Sequence, residues 1–63
     1  MFYCIIINNT QAIFAFPTLT AATEKYHSEL AYGMNQNITT TCVVMDKNGA
    51  IYKSEQYIAE VAE

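Results

Sequence analysis

The feature that most constrains this chain is its opening run, Phe2-Tyr3-Cys4-Ile5-Ile6-Ile7, which is aromatic, β-branched and unbroken by any polar residue. A run of that length and content predicts a strand. Because neither parity is polar, it also predicts burial on both faces. Asn8-Asn9 follows, and Asn accepts a left-handed backbone more readily than most residues, so the pair predicts a tight hairpin turn. Residues 10–16 return as a second strand, with Ala12, Phe14 and Phe16 on one face and Gln11, Ile13 and Ala15 on the other. Pro17 closes it, since proline has no N–H to give to a ladder.

Periodicity then changes. Thr18 or Thr20 is a capping residue for a helix running to about residue 32. Leu19, Ala22, Tyr26 and Leu30 recur at helical spacing as the stripe to be buried, while Lys25 and Glu29 sit four apart on the wet side. Gly33 is placed to stop the helix as a left-handed C′ residue, with Met34 packing back on the last turn. Asn35-Gln36-Asn37 reads as a loop. Residues 38–45 form a third strand by β-branched content, and residues 50–58 a fourth by alternation. Between them Asp46-Lys47-Asn48-Gly49 carries the strongest short-range hairpin mark, Asn-Gly. The expected fold is α+β, ββαββ: two antiparallel hairpins forming a small sheet, with one helix packed on one face. Residues 1–63 make one domain, with residues 59–63 as a fraying tail.

Size makes this fold precarious. A domain of 63 residues buries only about 60% of the surface of its unfolded chain. Yet 52% of the residues are hydrophobic and only 14% are charged, against a usual quarter. There is more apolar surface than one small core absorbs, so the expectation is a homodimer or larger assembly.

Charge excludes other classes. Three Lys+Arg against six Asp+Glu cannot build a phosphate-neutralising patch or a polybasic membrane anchor, so neither nucleic acid nor membrane is an expected partner. Two cysteines, Cys4 and Cys42, are too few for a disulfide-stapled secreted scaffold. Met1 leads directly into Phe2–Ile7 with no basic segment before it, and that apolar run is far too short for the core of a secretory leader or a membrane span. The expectation is a reduced, cytoplasmic chain, in which the sequons at Asn8 and Asn37 are coincidences.

No constellation carries chemistry. Cys4, Cys42 and His27 are scattered over separate elements, without zinc spacing or an electropositive setting for a reactive thiol. Gly33 and Gly49 are the only glycines and build no phosphate loop. No catalytic residue, metal or cofactor is expected, and the chain does not read as an enzyme. The remaining resource for recognition is aromatic: Tyr3, Tyr26, Tyr32, Tyr52 and Tyr57. Tyr26 belongs to the buried stripe. The candidate interface residues are therefore Tyr32 with His27 near the helix end, Tyr3 with Ile5 on one face of the first strand, and Tyr52 beside the Asn-Gly turn. The expected function is that of a non-enzymatic, self-associating interaction protein. The alternative is a small binder or inhibitor, of the kind phages and mobile elements encode, that blocks a host protein or sequesters a small ligand.

Overall fold

Two hairpins and one helix form as the turn chemistry demands. The structure, a computed structural model, describes residues 1–61. Strands β1 (Phe2–Ile7) and β2 (Gln11–Phe16) are joined at Asn8–Thr10, where Asn9 takes a left-handed φ of 79°. Strands β3 (Thr40–Asp46) and β4 (Ile51–Tyr57) are joined by a turn in which Gly49 has φ 88°. That turn is closed by the Gly49 N–H donating to Asp46 O at 3.1 Å, followed by Asp46 N–H to Ala50 O at 3.0 Å. This is a type I turn with a left-handed glycine making the G1 bulge. The Asp46 carboxylate adds a second brace, accepting from the N–H groups of Asn48 (2.8 Å) and Ala50 (2.9 Å).

The sheet is antiparallel throughout, in the order β2-β1-β3-β4. The two hairpins are thus joined through their first strands, β1 beside β3, with α1 (Leu19–Gln36) making the crossover on one face. Helix α1 lies over β1 and β3. Cys4, Ile6, Cys42 and Val44 from the sheet meet Ala22, Tyr26 and Leu30 from the helix to form the core, with Phe2, Phe16 and Tyr57 packed around it. Thr18 is the N-cap, its hydroxyl accepting from Ala21 N–H at 3.2 Å.

Three expectations change. First, Gly33 does not end the helix. It is buried and helical, and a Cβ there would overlap the Thr40 hydroxyl and lie 2.8 Å from the Thr40 Cβ. The glycine lets the helix settle on the start of β3. The helix runs a further turn to Asn37, which takes the left-handed cap at φ 54°. Met34 is accordingly half-exposed and not folded back. Second, Leu19 lies outside the buried stripe, which continues instead to Gly33. Third, β1 is not buried on both faces. Cys4 and Ile6 point at the helix, whereas Tyr3 and Ile5 are only half-buried and Ile7 is exposed. One helix covers one face, and no described element covers the other.

In the tail, Ala59 and Glu60 hydrogen-bond to side chains. Ala59 N–H donates to Thr39 Oγ1 at 3.0 Å. Asn37 grips Glu60 at both ends, accepting from its N–H at 2.8 Å and donating Nδ2–H to its carbonyl at 2.9 Å. Val61 is exposed, and the last two residues of that tail, Ala62 and Glu63, lie outside the described residues.

Candidate functional site

Register decides which side chains share the uncovered face, because residues directly opposite in antiparallel strands point the same way. Tyr3 lies between Ala15 and Met45, with Ile51 beyond Met45. Ile5 lies between Ile13 and Val43, with Ser54 beyond. Ile7 lies between Gln11 and Thr41, with Gln56 beyond. The result is an apolar field, Tyr3, Ile5, Ile13, Val43, Met45 and Ile51, with an uncharged polar margin at one end.

Among the described residues, no strand puts a charged side chain on this face. Residues 1–23 contain none at all, so the whole β1–β2 hairpin is neutral. Glu24, Lys25 and Glu29 are on the helix, and Asp46 and Lys47 are in or beside the second turn. Lys53 and Glu55 oppose Val44 and Cys42, which puts them on the helix side of the sheet. There the Tyr26 hydroxyl donates to Glu55 at 2.6 Å, and burial keeps that phenol protonated far into the alkaline range. Lys25 pairs with Glu29 at 3.3 Å and lies over the Phe14 ring, 4.5 Å from its centre. The charges therefore close the flanks of the helix side and leave the opposite face bare.

Only two of the five candidate interface residues come together. Tyr3 and Ile5 both lie on the open face. Tyr32 is exposed on the helix, on the other side of the sheet. His27 is also exposed, its ring edge-on to Tyr26 at 5.2 Å. Tyr52 sits at the opposite end of the molecule from Tyr32: the helix C-terminus lies at Thr40 and Tyr57, whereas Tyr52 packs edge-on to Phe2 at 5.8 Å and donates to Asp46 at 3.2 Å. A bulge opposite Val44/Met45 turns Tyr52 toward Phe2, out of strict alternation with the rest of β4. Ile13, Val43, Met45 and Ile51 complete the open face. Their parity was legible, but their grouping depends on the β1–β3 register, which spans the helix and leaves no local mark.

Cys4 and Cys42 are buried free thiols. Burial pushes both up, Cys42 to about 11, which suits packing and not nucleophilic chemistry. Among the described residues no pocket is found, and no group of three or more His, Cys, Asp or Glu side chains converges as metal ligands would. No described helix is long and apolar enough to cross a membrane. No family model matches the chain, and searches of curated proteins and of solved structures find no match either.

Proposed function

We propose that this chain is a non-enzymatic interaction protein that works as a self-assembly, with the open sheet face packed against the same face of a second copy. The observation that carries this reading is the segregation of charge. A chain of net charge −3 leaves one whole sheet face neutral and apolar at its centre. A second copy is the occupant that such a face fits. Its own face is equally neutral, so the contact buries no charge and brings no acidic groups together. Two sheets meeting this way pack about 10 Å apart with strands inclined by about 30°, the ordinary geometry of a sandwich. Tyr3 and Ile5 act in this contact. Tyr32, His27 and Tyr52 stand outside it.

Sedimentation of the wild type at micromolar concentration, beside Val43→Lys, tests the reading. The expected result is a mass that is a multiple of 7.1 kDa for the wild type. Val43→Lys, which puts an ammonium in the centre of the face, lowers it. A wild-type mass of one chain overturns the proposal.

A further inference from the structure

We infer that β2 makes a second self-contact, pairing antiparallel with β2 of another copy and carrying the sheet from four strands to eight. Closure of this contact and the open-face contact into a four-chain assembly rests on the reading above; the β2 pairing itself does not.

The two edges of the sheet differ. Any edge strand presents a row of unpaired N–H and C=O groups, and proteins blunt such rows with bulges, inward charges and proline. Strand β4 carries these devices: a register shift opposite Val44/Met45, and Lys53 and Glu55 pointing to the helix side. Strand β2 carries none. It pairs with β1 through all six residues without a shift, and it holds no charge and no proline before Pro17. The side chains of β2 are partly open on both faces: Ile13 is 59% exposed on the face away from the helix, and Phe14 is 37% exposed on the helix side, with Lys25 over its ring.

A second copy is the strand that this edge fits. Antiparallel pairing about a two-fold is self-complementary, since the outward donors and acceptors of one strand meet those of its image. Either Ile13 or Phe14 then falls opposite its own copy, an apolar pair that adds cross-strand contact. The same operation on β4, centred on Ser54, would set Lys53 opposite Glu55 of the copy, so on that edge the obstacle is the register shift opposite Val44/Met45, which breaks the row of outward groups. A foreign strand would be selected by charges or pockets, and β2 offers neither.

Area argues the same way. Four strands about 4.8 Å apart and about 20 Å long give a face on the order of 400 Å² in plan, against about 800 Å² per partner for a standard interface. The open face alone is undersized. A two-fold through the β2 edge, perpendicular to the sheet, leaves both open faces on one side. Two such eight-stranded sheets then stack face to face and close with four chains.

Native mass spectrometry and hydrogen exchange test this together. Phe14→Glu gives β2 the inward charge that β4 already has, and places it beside Lys25. The expected masses are four chains for the wild type, two for Phe14→Glu, two for Val43→Lys, and one for the double variant. In the wild type, the β2 amides that point away from β1 are protected at high protein concentration and exchange rapidly on dilution, whereas the outer β4 amides exchange rapidly throughout. If Val43→Lys keeps the wild-type mass while Phe14→Glu halves it, the face reading falls and the edge pairing stands. If the outer β2 amides exchange as fast as those of β4 at every concentration, the edge pairing is overturned, whatever the variants do.

Discussion

At the scale of single residues, Gly33, Asp46 and Cys42 have roles that local sequence alone does not disclose. Gly33 looks like a helix stop because glycine often is one. Its actual constraint is tertiary, the contact with the buried Thr40 side chain. Gly33→Ala should therefore destabilise by about 1–3 kcal/mol from overpacking, even though alanine is the better helix former. Adding Thr40→Ala should recover part of that loss, because the two changes share one contact; denaturant melts of the four forms check this, and simple additivity would refute it. Asp46 is held below the usual carboxylate range, first by the Ala50 N–H and then by Asn48, Tyr52 and Gly49. A carboxyl lowered in the fold contributes stability above its unfolded value, near 3.8, and loses it as pH falls through the folded value. The stability gap between wild type and Asp46→Asn should accordingly be constant at neutral pH and shrink as pH falls below about 4. A gap that persists unchanged into acid would remove the carboxylate from the turn. Cys42, pushed up to about 11 by burial, should resist thiol reagents at mildly alkaline pH until the chain is unfolded; labelling of the native protein at the rate of a free thiol would contradict its packing.

At the scale of elements, the parts legible in the sequence are those decided locally. Asn9 and Gly49 both take the left-handed conformations that their residue types favour, and strands β1, β2 and β4 fall within a residue or so of where alternation and punctuation put them. Thr18 caps the helix as its hydroxyl allows. The illegible parts are decided by contacts distant in sequence. The helix end moves to Asn37 because β3 accepts Gly33 against it, and because Asn37 also binds Tyr57 and Glu60. The open face is half legible: the apolarity of Tyr3, Ile5 and Ile7 is written in β1, but their neighbours depend on the register with β3. The second hairpin provides the test at this scale. Nothing lies within 4 Å of where a Gly49 side chain would begin, so any penalty for substitution is conformational. Gly49→Val, a β-branched residue forced to φ 88°, should cost more than the roughly ±0.5 kcal/mol of ordinary surface changes, and Gly49→Asn should cost less than Val. Equal and negligible losses would mean that the turn tolerates a different geometry.

At the scale of the whole molecule, the distribution of charge sets how association must respond to salt. Every charged side chain in the described residues lies on the helix, in or beside the second turn, on the helix side of β4 or in the tail. An assembly built on the open face and the β2 edge brings no ion pairs into either contact. Raising ionic strength therefore has no attraction to screen. It acts only on the mutual repulsion of chains that each carry a net charge of −3. The dissociation constant should stay level or fall as salt rises from about 0.05 M to about 1 M, where the screening length drops to about 3 Å. The midpoint of thermal unfolding should rise with protein concentration at both salts, because a partner that binds only the folded chain stabilises it by mass action. Sedimentation and calorimetry over a dilution series at the two ionic strengths measure both quantities. Tighter association at low salt would place Lys53, Glu55 or the helix charges in the contact, and would move the interface from the open face to the opposite side of the sheet.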